Sequence, residues 1–202
     1  PLTQAEKLPE AYCRAHFPQR TARAERFRFR ADALRCLGAG ALLYHVLGAR
    51  EEFLTFSPAG KPLLSDGPAF NLSHSGDFVA LCVGGDLSPV GIDVEETDAR
   101  HLSIARRVMT AHEIKFIGDD ATRFFTLWTL KEAVCKAAGT GIGVDLTALD
   151  VLPLLTGDSV RYAGADWYGA TVKVTDHCLS VCARRSVGPL HPILLGCNEL
   201  LS

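Results

Sequence analysis

A chain of 202 residues with formal charge −2 and 48% hydrophobic residues suffices for one domain or two compact halves, of about 100 residues each. The near-neutral charge leaves no electrostatic footprint for nucleic acid, so any basic site has to be local, and no apolar run reaches the roughly 18 residues that read as a membrane span. Seven scattered cysteines without a Cys-x-x-Cys pair argue for reduced thiols in a cytoplasmic protein and against a disulfide scaffold or structural zinc. The opening Pro1-Leu2-Thr3-Gln4 has neither an initiator Met nor a charged-then-apolar signal pattern, so a trimmed chain is expected.

Residues 10–50 read as helical. Arginines crowd the middle of this segment, at 20, 23, 26, 28, 30 and 35, against acids only at Glu25 and Asp32. Arg20 and Arg23 lie three apart and share a helix face. Planar guanidinium forks suit phosphate oxygens; a solvated basic face is the plain alternative. Leu34, Leu37, Ala41 and Val46 then supply a buried stripe that ends near Gly48. Residues 53–70 are turn-rich. Lys61 stands between Gly60 and Pro62, and the proline keeps it extended, either aiming its ammonium at a ligand or simply lying in a loop. Asn71-Leu72-Ser73-His74-Ser75-Gly76 offers short hydrogen-bond donors and close backbone approach, which suit an anion. No second His or Cys accompanies His74 at metal-ligand spacing, and Ser73 lacks a Gly-x-Ser-x-Gly elbow, so neither zinc nor a hydrolase pair is expected. Phe78 to Val83 reads as a buried strand stopped by Gly84-Gly85.

Residues 88–95 form the next predicted strand. With side chains alternating, Ile92 and Val94 face one way, Asp93 and Glu95 the other. Two carboxylates that close are unfavourable without a cation or a proton between them. Mg²⁺, which prefers oxygen ligands, resolves the conflict; an acidic strand end in water is the ordinary alternative. A helix follows over 101–117, with Leu102, Ala105, Val108 and Met109 on one side and Arg106, Arg107 and Lys115 elsewhere, broken by Gly118-Asp119-Asp120. The helix over 123–138 is closed by Gly139. Its apolar stripe is Leu127, Leu130, Val134 and Ala137, with Glu132 and Lys136 roughly opposite, where a plain i,i+4 ion pair is the modest reading. Residues 144–185 read as strands and turns, and a short apolar tail starts at Pro189. Both halves run helix first and then strands.

Taken together, Gly60-Lys61-Pro62, Asn71-Leu72-Ser73-His74-Ser75, Val90-Gly91-Ile92-Asp93-Val94-Glu95 and Trp128-Thr129-Leu130-Lys131-Glu132-Ala133-x-x-Lys136 resemble the Sfp-type 4′-phosphopantetheinyl transferases in content, order and spacing. The resemblance covers nearly the whole chain, and its last two stretches are the specific part. It implies an α+β fold: two similar α/β halves related by a pseudo-twofold, each a small, mostly antiparallel sheet with a packed helix, and coenzyme A in the cleft between them. Residues 1–90 then form the half facing the 3′-phosphate and adenine, and 91–202 the half facing Mg²⁺, the pyrophosphate and the carrier. The family's metal-binding acids fall on Asp93, Glu95 and Glu132, its phosphate-binding lysine on Lys136, and its 3′-phosphate and pyrophosphate contacts on Arg20, Arg23, Lys61, Ser73 and His74. Two departures stand out. The family has a strand before the segment at which this chain begins, and Cys36 stands where some relatives use Thr or Ser towards the 3′-phosphate, which leaves more of that contact to Arg20, Arg23 and Arg35.

The implied reaction moves the phosphopantetheine arm of coenzyme A, the co-substrate, onto a serine of an apo acyl or peptidyl carrier protein. Adenosine 3′,5′-bisphosphate leaves. Asp93, Glu95 and Glu132 hold Mg²⁺, Lys136 and His74 neutralise phosphate oxygens, and Glu132 is the expected base, directly or through a water. With two internal halves a monomer is expected. Arg106, Arg107, Lys115 and Phe116 are the expected carrier-docking surface. Two rival readings are weighed against this one. A Mg²⁺-dependent nuclease commonly places a lysine two residues after the second acid, where this chain has Thr97. A non-catalytic coenzyme A or carrier-binding module has no need of the full set Asp93, Glu95, Glu132 and Lys136.

Overall fold

The computed structural model describes residues 10–85, 89–141, 143–196 and 199–201. The Pro1–Gln4 segment and the first residue of the predicted 88–95 strand lie outside them. The region expected to be helical over 10–50 comprises three helices: α1 (Glu10–His16), α2 (Pro18–Ala24) and α3 (Arg30–Leu47). The first break falls at Phe17, whose backbone leaves the helical region (φ −140°, ψ 66°) ahead of Pro18. Proline restricts the residue before it and suits the first helical position, where its missing N–H is not needed. The exposed run 25–29, with Arg and Phe alternating over 26–29, makes the second break. α3 ends as expected at Gly48, left-handed at φ 60°, with its N–H on the Tyr44 carbonyl.

The single stripe read along α3 needs correcting. Val46 is 46% exposed, and Leu43 is buried in its stead. At about 100° per residue, Ala41 and Leu43 project from nearly opposite sides. Ala41 packs with Cys13 and Phe17, and Leu43 with Ala49 and Phe70. The helix is wedged between two small cores, so no one face carries its apolar residues.

Three antiparallel sheets follow. β1 (Leu54–Phe56) pairs with β2 (Pro62–Leu64), and β3 (Phe70–Ser75) with β4 (Phe78–Val83). β5 (Val90–Glu96), β6 (Val160–Tyr162), β7 (Ala165–Val174) and β8 (His177–Ala183) form a four-stranded sheet in the order β5-β8-β7-β6. Its register sets Asp93 opposite Ser180 and Glu95 opposite Cys178. The helix expected over 101–117 is interrupted: a 3₁₀ segment (Ala99–Ile104), α4 (Ala105–Val108), then α5 (Ala111–Ile117). Thr110 causes the interruption, because it forms a capping box with Glu113 and so starts a new helix.

α6 (Ala121–Ala138) lies across the four-stranded sheet, and Phe124, Leu127, Leu130 and Val134 form the main core with Trp167, Cys182 and Leu154. All four predicted stripe residues of this helix are buried. The α+β class, with small antiparallel sheets carrying packed helices, is as the resemblance implies. Each half has one helix of 18 residues, α3 on β4 and α6 on β5. The strands beneath them differ, two ladders of two strands in the first half and one of four in the second.

Candidate active site

β5 is the outer strand of its sheet, and its odd-numbered residues face α6. A β-carbon on Gly91 would lie 2.0 Å from the Ala133 carbonyl oxygen and 2.5 Å from the Ala137 nitrogen. Only glycine lets helix and strand approach this closely. The next two residues on that face are Asp93 and Glu95, and α6 brings Glu132 and Lys136 over them. The Lys136 ammonium meets Asp93 Oδ1 at 2.6 Å and donates to the Ser73 hydroxyl at 2.9 Å.

Burial pushes the carboxyls of Asp93, Glu95 and Glu132 above the usual carboxylate range. The Asp93 charge adds to this at Glu95 and Glu132, and that of Glu95 adds further at Glu132. At Asp93 the Lys136 ammonium works against it. The three predicted acids therefore meet in one electrostatic neighbourhood. Among the described residues, no three His, Cys, Asp or Glu are already spaced around a common metal position. The donor set nonetheless fits a hard cation. All its atoms are carboxylate oxygens, and Asp93 Oδ2 is buried without a hydrogen-bond partner.

The segment whose short donors suit an anion is strand β3, and its odd-numbered side chains turn to β5. Asn71 Oδ1 accepts the Ile92 N–H (2.9 Å), Ser73 Oγ the Val94 N–H (3.4 Å) and Ser75 Oγ the Glu96 N–H (3.1 Å). Side-chain oxygens thus satisfy the free edge of β5 in place of another strand's carbonyls. Ser73 donates its proton to Asp93 Oδ1 at 2.8 Å and accepts from Lys136 and Val94, which uses the hydrogen-bonding capacity of the hydroxyl in full. His74 alternates to the other face. Loss of surrounding water and the Arg35 charge hold its imidazole below its ordinary pKa, with the Lys136 charge contributing. Arg35 also donates to the Gly76 carbonyl at 2.9 Å.

Lys61 donates to the carbonyls of Val90 and Lys136, both at 2.8 Å. Its ammonium staples the last turn of α6 to the start of β5 and keeps one further donor. Arg20 donates to the Cys36 carbonyl at 3.3 Å and lies 3.6 Å from Glu51, crossing α3 at Gly40, where a β-carbon would sit 2.7 Å from Arg20 Cδ. Burial raises the Cys36 thiol pKa, while the charges of Arg20 and Arg23 lower it. The structure thus gathers Arg20, Arg23 and Cys36 at one place and Asp93, Glu95, Glu132 and Lys136 at another, with Lys61 tied to the second group. Ser75, Glu95, Ile104, Phe124, Phe125 and Trp128 are among the residues that line a groove of about 360 Å³ beside the acids.

The model of the 4′-phosphopantetheinyl transferase superfamily matches residues 89–182, the stretch that holds β5 and α6. The 4′-phosphopantetheinyl transferase psf-1 of Bacillus pumilus is 34% identical over 91% of this chain and 85% of its own length. The chain belongs to the Sfp-type 4′-phosphopantetheinyl transferase family. The Sfp transferase of Bacillus subtilis is 31% identical to it over 75% of this chain and 71% of that protein. Among solved structures, the holo-[acyl-carrier-protein] synthase of Helicobacter pylori in complex with coenzyme A is similar at TM-score 0.40 and 16% identity, over 46% of this chain and 97% of that one.

Two further features of the transferase bear on its site. Lys131, the neighbour of Glu132, is wholly buried and pairs with the equally buried Glu113 at 2.7 Å. It also donates to the carbonyls of Leu146 and Leu149, while Glu113 accepts the N–H groups of Thr110 and Val151. This network fixes the rotation of α6 and so turns Glu132 to β5. Of the surface expected to receive a carrier, Arg106, Arg107 and Lys115 are exposed. Phe116 is half-buried beneath the Arg123 guanidinium, 5.1 Å from its ring centre. Gly91, Asn71 and Ser75 were not singled out as site residues from the sequence. The signal for Gly91 was legible, since a glycine inside a strand marks close backbone approach.

Proposed function

We propose that this transferase moves the 4′-phosphopantetheine arm of coenzyme A onto a serine of an apo acyl or peptidyl carrier protein at the acids carried by β5 and α6, and that it does so with Mg²⁺. The observation that carries the reading is the buried, unpartnered Asp93 Oδ2 set among Glu95, Glu132 and Lys136. Asp93, Glu95 and Glu132 would hold the ion, which when bound supplies charge stabilisation at the pyrophosphate. Lys136 neutralises phosphate oxygens, His74 donates a hydrogen bond to them from an imidazole held below its ordinary pKa, and Arg20, Arg23 and the remaining donor of Lys61 bind those farther along coenzyme A. Residues 1–90 thus supply the 3′-phosphate side, and 91–202 the pyrophosphate side and the carrier surface. Glu132 accepts the proton of the attacking serine, directly or through a water. A cation bound by the same carboxylate lowers its basicity, so the raised pKa of the metal-free carboxyl does not by itself argue for this role. Phosphoryl transfer asks for positioning and charge complementarity above all.

The test mixes the protein with coenzyme A, Mg²⁺ and a panel of apo carriers and reads each carrier's intact mass. We expect one phosphopantetheine added on a serine of at least one carrier, and none once EDTA removes the metal. Transfer that persists in EDTA rejects the metal role, and no mass gain on any carrier rejects the activity.

A further inference from the structure

The β3 ladder repeats one arrangement at two successive steps. Ser73 takes the N–H of the residue after Asp93 and gives its proton to Asp93. Ser75 takes the N–H of the residue after Glu95 at 3.1 Å and gives its proton to Glu95 Oε2 at 2.8 Å. A seryl hydroxyl has a single proton and rotates freely until something fixes its lone pairs. The Glu96 N–H does so here, and the proton is left to point at Glu95. Trp128 of α6 lines the same groove as Glu95, while the hydrogen bond to the Glu95 carboxylate comes from β3. Unlike Ser73, Ser75 has no hydrogen bond to Lys136, so its effect can be tested apart from that of the lysine.

We propose that Ser75 is a positioning residue: it orients the Glu95 carboxylate for the divalent ion and, through the shared ladder, sets one half of the molecule in register with the metal-side strand of the other. The inference rests on the reading of Asp93, Glu95 and Glu132 as metal ligands. Groups hydrogen-bonded to metal-ligating carboxylates typically change metal affinity by about 10–100-fold when removed.

The experiment measures Mn²⁺ binding to the full chain by loss of the free-ion EPR signal, without coenzyme A or carrier, for wild type, Ser75→Ala, Ser75→Val and Ser75→Thr. Thr and Val have nearly the same shape, and only Thr keeps the hydroxyl. We expect Ala and Val to weaken Mn²⁺ binding by about 10-fold or more and Thr to stay close to wild type. We also expect transfer by the Ala variant to recover as Mg²⁺ is raised, a rescue that a merely structural defect does not show. Wild-type Mn²⁺ affinity in both Ala and Val overturns the proposal alone. Failure of both to fold, with Thr folded, overturns it in favour of a purely architectural ladder. No Mn²⁺ binding by wild type overturns the metal reading and this proposal with it.

Discussion

Asp93 shows how burial and charge divide the work at a single residue. Its carboxyl is almost wholly buried, and one oxygen is satisfied twice, by Lys136 and Ser73. The other has no hydrogen-bond partner, in a setting where a lone buried polar atom is costly. Without a bound cation the cluster relieves its repulsion by keeping protons, and that has a measurable sign. Glu95 and Glu132 have folded-state pKa values raised above the ordinary 4.5, so across the window above that value the folded chain binds more protons than the unfolded one. Stability contributed by these groups therefore falls as pH rises through the window. In metal-free buffer we expect the melting temperature of wild type, relative to that of the Glu95→Gln/Glu132→Gln variant, to drop from mildly acidic to neutral pH. A constant difference between the two would contradict it. Both the acids and Lys136 were legible as residues. Their shared neighbourhood was expected from the family resemblance alone, since no spacing along the chain says that Glu132, nearly forty residues on, will meet Asp93.

Among the elements, the contact of α6 with β5 decides the site, and it depends on an absent side chain. The β-carbon of Gly91→Ala would fall 2.0 Å from a backbone oxygen that no rotamer change can move aside. The helix has to retreat, and Glu132 and Lys136 with it. We expect this substitution to destabilise by about 3 kcal/mol, seen as a melting temperature lower by about 6–12 °C, and to abolish transfer. An active variant of wild-type stability would show that the close approach is dispensable. The apolar stripe of α6 was readable from its spacing, although the helix is buried on nearly every side, with Phe125, Thr129, Lys131 and Cys135 buried off that stripe. That of α3 was not, because it is wedged between two cores, and the 101–117 segment was overextended because a Thr-x-x-Glu box inside it starts a fresh helix.

For the molecule as a whole, polar contacts tie the two halves together: the three-step ladder from β3 to β5 and the Lys61 staple to the last turn of α6. Ligand groups contributed by both halves are thereby held in one frame. Outside it, Arg106 and Arg107 stand exposed on α4, the surface we propose receives the carrier. Reversing both to Glu should raise the KM for carrier severalfold and leave that for coenzyme A unchanged; an unaltered carrier KM would exclude this face as the docking surface.

The sequence by itself determined the chemistry of this protein, because acids, cations and hydroxyls of the right kinds stand in family-specific stretches, and the strand and helix that carry most of them have clear periodicity. Only the tertiary structure decided how those groups are used: which oxygen of Asp93 stays without a partner, that the Ser73 hydroxyl is occupied by protein neighbours, that Lys61 binds carbonyls, and that Ser75 grips Glu95. The reason is physical. Periodicity reports which face of an element is buried, whereas a hydrogen-bond partner is chosen by distances between elements far apart in the chain, here through a glycine that permits contact and a strand edge that must be satisfied.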